Sequence, residues 1–392
     1  MRVAIGQFGG PTVVLNASLY GALAALDTAK VTTFGIVGGG TGLTTGYFAP
    51  LSGMSKDLAW MFETPGAALV AGRDADFEEH VDIAVRNLHK EGIDGLLVIG
   101  GNGTMALAEL VQREARAQGY PLAVIGIPKT IDNDIIGVDH TPGYPSAAHF
   151  VLKALRDLRQ DLKAMVGFEK VRVVEVMGRH TGWLASVASL LPYLILDRDG
   201  VQSVPSTLIY LPEKSLELKD FLDDVKCRVN QFGQTLVVVG EGVRDTSGRY
   251  FTQAGVDKGR AADVILGGVG AQLAHHIRTE LGYQTRYENL GLLQRCWSES
   301  SMSLDRLEAK LLGEEGVKAL LHGESERMVG LVRTSTLASE YAVQPIRLHL
   351  GNVAGKDRQM TPKEQLLDDQ FLEWLKPLVG MEHIQSYHTL PV

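Results

Sequence analysis

Two short stretches of this 392-residue chain combine residue types that can move a phosphoryl group. Pro128-Lys129-Thr130-Ile131-Asp132-Asn133-Asp134 sets one cation and two carboxylates in a single loop. A lysine can neutralise phosphoryl oxygens, and a carboxylate can take a hydroxyl proton or hold a divalent cation. About thirty residues upstream lies Gly100-Gly101-Asn102-Gly103-Thr104. There the missing Cβ atoms let backbone N–H groups at a helix start approach an anion. The glycine turn alone is a weak signal, because βα turns use glycine for geometry. Together they supply both halves of phosphoryl transfer.

The elements that must position these loops are legible around them. Leu96–Ile99 and Leu122–Ile127 are apolar runs that stop at the two loops, and Met105, Leu107, Leu110 and Val111 give a helical pattern after the first. Arg2 to Phe8 predicts a strand ending at Gly9-Gly10-Pro11, followed by a helix from about Asn16 to Asp27 with Asn16 as its cap. A strand over Val31–Gly38 and a helix over Phe77–Gly92 come next. Beyond the second loop, a helix (Pro145–Ala164) leads to a strand (Val171–Val176) ending in Met177-Gly178-Arg179, then to a helix over Thr181–Leu191. The pattern continues with Leu208–Leu211, Leu216–Phe232 and Leu236–Gly240, the last ending at Glu241. A helix over Ala261–Leu281, a strand over Met328–Val332 and a helix over Gln365–Leu378 complete the chain. Such alternation predicts parallel βαβ units with right-handed crossovers, whose ligands bind outside the strands' carboxyl ends.

The expected fold is therefore α/β: two Rossmann-like lobes with mostly parallel sheets and an active-site cleft between them. Residues 1–148 with about 296–345 would form one lobe, and about 149–295 with 346–392 the other. Composition fits an ordinary globular chain, 45% hydrophobic and 21% charged. A net charge of −8 without a basic tract argues against a nucleic-acid partner. No apolar run reaches membrane-spanning length, and Met1-Arg2-Val3 enters a strand rather than a signal peptide. Two cysteines, Cys227 and Cys296, make a disulfide framework or cysteine zinc site improbable and point to the cytoplasm.

The GGNGT and PKTIDND stretches, with Met177-Gly178-Arg179, resemble the signatures of the 6-phosphofructokinase family, and further matches span about residues 3 to 330. PKTIDND is the specific one, since NAD kinases and lipid kinases carry turns like GGNGT. The resemblance implies transfer of a phosphoryl group to C1 of fructose 6-phosphate in glycolysis, with Mg²⁺, by a homodimer or homotetramer. It makes Asp132 the base, with Lys129, Thr130 and Arg179 as its catalytic companions. Donor contacts would come from Gly10, Arg73, Gly101, Asn102, Gly103 and Thr104, and the metal from Asn102 and Asp134. Thr130, Asp132, Lys170, Met177, Gly178, Arg179, Glu241, Arg286 and Arg295 would bind the sugar phosphate. Of these, Arg286 and Arg295 are the expected 6-phosphate clamp, with one arginine offered by a neighbouring subunit.

The chain departs from the family pattern in three respects. Asn102 stands where the usual metal-binding Asp would be, and Leu292 replaces a clamp His. The donor determinants conflict. Pyrophosphate users carry Asp at the position of Gly103, where it would repel the α-phosphate of ATP, so Gly103 favours ATP. Lys129, the Gly9-Gly10-Pro11-Thr12 and His140-Thr141-Pro142-Gly143 phrasing, and the residues Gly40 and Leu107 favour pyrophosphate. ATP is the narrow choice and pyrophosphate the alternative. An NAD-kinase-like enzyme would leave PKTIDND and Met177-Gly178-Arg179 unexplained. A non-catalytic paralogue, suggested by Asn102 and Leu292, is opposed by the intact Asp132 and Arg179.

Overall fold

The computed structural model describes residues 1–72, 77–196, 207–251, 266–335 and 337–388. In chain order the main elements are β1 (Arg2–Gln7), α1 (Leu15–Thr28), β2 (Thr32–Ile36), β3 (Phe48–Pro50), α2 (Val81–Lys90) and β4 (Gly95–Gly100). Next come α3 (Asn102–Ala117), β5 (Ala123–Pro128), α4 (Tyr144–Ala164), β6 (Val171–Val176), β7 (Thr207–Tyr210), α5 (Leu218–Phe232) and β8 (Thr235–Gly240). The chain continues through α6 (Val269–His276), β9 (Thr285–Asn289), α7 (Ser303–Leu321), β10 (Arg327–Arg333), β11 (Val343–His349) and α8 (Asp369–Leu378). Among the described residues, no helix is long and apolar enough to cross a membrane.

The chain divides into two compact units: 1–146, 295–335 and 340–358 form the first, and 147–294, 336–339 and 359–392 the second. Residues 346–358 thus belong with the first unit rather than the second. The cause is β11, which pairs antiparallel with β10 along its whole length.

The first unit holds a seven-stranded sheet in the order β11-β10-β5-β4-β1-β2-β3. Its two edge strands are antiparallel to their neighbours and the rest run parallel. Side chains alternate across it with period two. Ala4, Leu96, Val98, Val124 and Met328 pack on α2 and α3. Val3, Ile5, Leu97, Ile99, Ile125, Ile127 and Val329 pack on α1 and α7. Both faces being covered, the strands read as continuous apolar runs. The α1 and α7 backbones approach so closely that a Cβ on Gly21 would overlap the Lys310 carbonyl, and one on Gly313 the Ser18 carbonyl.

The second unit holds a parallel four-stranded sheet, β9-β6-β8-β7. One face, with Val171, Val173, Val237 and Val239, packs on α5 and α6 through Phe221, Val225, Val269 and Leu273. The expected strands agree closely with the observed ones, but β3, β9 and β11 are not among those expected, and the helices differ in places. Asn16 does not cap α1. It sits inside the helix, where its amide accepts from Gln7 Nε2 (3.0 Å) and Ala68 N (2.8 Å) and donates to the Thr64 carbonyl (2.9 Å). The helix expected over Thr181–Leu191 is three short pieces, Trp183–Ser186, Val187–Leu190 and Leu191–Leu194. Pro192 lies near the start of the last, where its lost N–H is tolerated. The helix expected over Ala261–Leu281 begins at Val269 among the described residues, and 261–265 lie outside them.

Candidate active site

In the first unit, β1 is flanked by β2 and β4, and the chain progresses outward in opposite directions from the β1–β4 pair. That reversal is where a crevice opens at the carboxyl rim of an open α/β sheet. Because β1, β4 and β5 are parallel neighbours, Gly9-Gly10, Gly100–Thr104 and Lys129–Asp134 emerge side by side on this rim. The rim is tied together by backbone bonds from Phe8 N to Ile99 O (2.9 Å) and Lys129 N to Gly100 O (2.9 Å).

Lys129 is almost fully buried, and its Nζ donates to the carbonyls of Gly10 (2.6 Å) and Phe8 (3.3 Å). Its charge therefore sits beneath the first glycine turn. Gly101 is extended, and Asn102, Gly103 and Thr104 open α3, so the early N–H groups of that helix face outward with the positive end of its dipole. Thr104 is buried with its side chain folded over Gly100, where any Cβ would collide with it. At Gly103, by contrast, an added Cβ would meet nothing within 4 Å.

The loop after β5 is held by a dense set of local bonds. Thr130 N donates to Pro142 O (3.1 Å), and the Thr130 carbonyl accepts from the Thr141 hydroxyl (3.2 Å). Asn133 adopts a left-handed conformation (φ 53°) and is fully buried, its Oδ1 accepting from Thr141 N (3.1 Å). The Thr130 Oγ1 accepts from Asp132 N (3.1 Å), and its hydroxyl bonds the Asp134 carboxylate. Burial, then the charges of Asp132 and Asp357, push the Asp134 carboxyl up to about 7. These constraints fix the turn that presents Asp132 and Asp134.

Two further contributors lie outside the glycine turns and the Lys129–Asp134 loop. Asp357 accepts from Asn102 Nδ2 (2.8 Å), pairs through its backbone with Ile135, and is followed by Arg358, whose N donates to the Asp134 carbonyl (2.7 Å). Their sequence neighbourhood, Gly355-Lys356-Asp357-Arg358, is an ordinary charged turn, and only folding reveals its place. The second is His140, fully buried between Asp139 (Nδ1···Oδ2 2.8 Å) and Glu308 of α7 (Nε2···Oε2 2.7 Å). Tyr341 OH donates to the other Glu308 oxygen (2.5 Å), and Arg333 pairs with Asp139 (3.3 Å). Burial alone would lower the His140 pKa. The two carboxylates outweigh it and raise it to about 9, so the ring is an imidazolium. It bolts the segment after the Asp132 loop to α7.

The residues present fit a hard divalent cation. Asn102 Oδ1 and Asp134 Oδ1 are buried and lack hydrogen-bond partners. Among the described residues no three His, Cys, Asp or Glu side chains form a complete metal cage. Mg²⁺ does not require one, since it retains waters and takes its remaining ligands from substrate phosphates.

In the second unit the parallel neighbours β6 and β8 bring Met177-Gly178-Arg179 and Glu241 together at one rim. Glu241 N donates to Val176 O (2.9 Å) and Gly242 N to Gly178 O (3.2 Å), while Met177 N donates to Gln294 Oε1 (3.1 Å). A Cβ at Gly242 would overlap the Arg179 carbonyl, so this approach requires glycine.

Two expected sugar-phosphate ligands stand away from this rim. Lys170 precedes the first residue of β6, and Arg286 pairs with Arg172 near that same end. At about 3.3 Å per strand residue, Arg286 stands roughly 20 Å and Lys170 roughly 26 Å along the sheet from Gly178. Arg286, 56% exposed, instead faces Glu169 (3.4 Å). One copy of this unit cannot gather all these groups on one ligand. Arg295 belongs to the first unit and lies against Gly10, where a Cβ would stand 2.6 Å from its Nη1. Arg73 lies outside the described residues.

Comparison with known proteins agrees with this geometry. A family model described as phosphofructokinase matches residues 2–320. The chain is 36% identical to a sulfofructose kinase of Alkalicoccus urumqiensis, over 98% of this chain and 97% of that one. It is 33% identical to a pyrophosphate–fructose 6-phosphate 1-phosphotransferase of Rhodospirillum rubrum, over 98% and 96%. The solved structure of a pyrophosphate-dependent phosphofructokinase from Marinobacter aquaeolei superposes with a TM-score of 0.81 at 25% identity, covering 100% of this chain and 93% of that one. The chain therefore belongs to the phosphofructokinase family.

Proposed function

We propose that the enzyme transfers a phosphoryl group to the C1 hydroxyl of fructose 6-phosphate, giving fructose 1,6-bisphosphate, with ATP as donor. The observation that carries this reading is the convergence of Gly10, Lys129, Asn102–Thr104, Asp132 and Asp134 at adjacent strand ends. Asp132 accepts the hydroxyl proton, and Lys129 and the α3 N-terminus neutralise the donor phosphates. In the second unit Arg179 stabilises charge on the transferred group, while Met177, Gly178 and Glu241 read the sugar. Bound Mg²⁺, held by Asn102 and Asp134, would offset charge on the donor's oxygens. Gly103 supports ATP because the space beside it is open. Leu107 does not oppose it, since its side chain packs on the core beneath α2 and α3.

The placement of Lys170 and Arg286 supports a homo-oligomer, in which they serve the sugar-phosphate site of a second copy. The buried Lys129 and the name of the R. rubrum relative favour pyrophosphate as the second reading for the donor. Leu292, in place of a cationic clamp residue and 61% exposed, and the name of the A. urumqiensis relative favour sulfofructose as the second reading for the acceptor. Initial rates with each donor paired with each acceptor test all of these. Turnover of fructose 6-phosphate with ATP is the expected result, and its absence would overturn this assignment.

A further inference from the structure

Asn102 presents an amide where the family resemblance implies a metal-binding carboxylate, and the structure indicates how the missing charge is supplied. This rests on the reading of the rim as the phosphoryl-donor site. An amide side chain can present either its oxygen or its NH₂ to a cation, and only the first is useful. Its orientation is set by the hydrogen bonds around it. Here Asn102 Nδ2 donates to Asp357 Oδ1 (2.8 Å), which leaves Oδ1 as the buried atom without a partner. Asp357 is itself anchored to the same loop that bears Asp134, through the Ile135 backbone bridge and the bond from Arg358 N to the Asp134 carbonyl (2.7 Å).

We infer that Asp357 is the positioning residue of the cation site: it locks the Asn102 amide with Oδ1 toward the cation and supplies the negative charge that position 102 lacks. The arrangement parallels carboxylates behind metal-bound histidines, whose removal weakens metal affinity by about 10–100-fold. It also accounts for an exposed aspartate, brought in by the antiparallel strand β11 and the turn beyond it, being held against the start of α3.

The test is Mn²⁺ binding, read from the electron paramagnetic resonance signal of the free ion, with imidodiphosphate or β,γ-imido-ATP present and no acceptor. D357N should weaken Mn²⁺ binding by about 10-fold or more. The double variant N102D/D357N, which moves the charge onto position 102 while keeping an amide partner behind it, should restore binding to within about threefold of wild type. A purely structural Asp357 predicts otherwise: D357N would lower the melting temperature and leave Mn²⁺ affinity unchanged, and that result overturns the inference. So would a double variant that binds no better than D357N. If the wild type binds no Mn²⁺ with either analogue, the donor-site reading itself fails. If D357N does not fold, wild type against N102D/D357N and D357E decides: D357E, with its longer reach, should bind Mn²⁺ more weakly than both, and equal affinity in all three refutes the role.

Discussion

The buried His140 imidazolium makes the first unit's stability depend on pH in a way that can be worked from its surroundings. The ring faces Asp139, Glu308, Arg333 and Tyr341, with Asp305 next along α7, and has no exposure to water. Its folded pKa of about 9 lies above the ordinary value of 6.5. For a group raised on folding, the stabilisation is complete below 6.5 and is lost as pH climbs through 9. The gap corresponds to about 3 kcal/mol at about 1.4 kcal/mol per pH unit. Denaturant unfolding of wild type and His140→Gln at pH 6, 7.5 and 9.5 measures it. Asp305, whose burial lifts its carboxyl to about 6, titrates below most of this window and is common to both proteins. The advantage of wild type over the variant should shrink by about 3 kcal/mol between pH 6 and 9.5. Parallel losses in the two proteins, or a difference changing by less than about 1 kcal/mol, would show that the ring is not charged when buried.

Three other outcomes follow from the site. Asp132→Ala should lower kcat by about 10² or more while leaving the KM for the sugar phosphate nearly unchanged, because a base acts in the transition state; a wild-type kcat would remove Asp132 from the mechanism. Gly103→Asp should fold normally, since nothing lies within 4 Å of the new Cβ, and should depress turnover with ATP while sparing pyrophosphate. Unchanged ATP kinetics would shift donor choice to other residues. Saturation with fructose 6-phosphate should be hyperbolic and indifferent to ADP and phosphoenolpyruvate, because α1, the helix after the first glycine turn, carries no Arg or Lys to fix an anionic effector. Tyr20 packs on Phe62 (ring centroids 5.9 Å apart). A sigmoidal curve relieved by ADP would contradict this.

The sequence by itself determined the α/β class and the reactive loops. Apolar strands such as Leu96–Ile99 must be buried on both faces, and a glycine turn and an Asp-Asn-Asp loop at two neighbouring strand ends carry complementary chemistry that neither shows alone. It also marked Asp132, Lys129 and Arg179 as candidates, because their chemistry travels with contiguous motifs. Adjacency between distant segments was decided only by tertiary structure. Asn16 reads as a helix cap locally, yet its amide is claimed by Gln7 and Ala68 across the fold. Lys170 and Arg286 have the right charge for a phosphate clamp, but strand direction places them at the far end of the sheet from Gly178. Asp357 sits in an unremarkable charged turn, and becomes a partner of Asn102 only because, after β11 has run to the amino end of β10, the short helix Leu350–Val353 and the turn beyond it lead the chain back to the rim. His140 and Glu308 are 168 positions apart, and no local pattern pairs them. Periodicity and turn chemistry act over a few residues, whereas the bonds that orient this site close loops of a hundred or more, and those are set by which strands become neighbours.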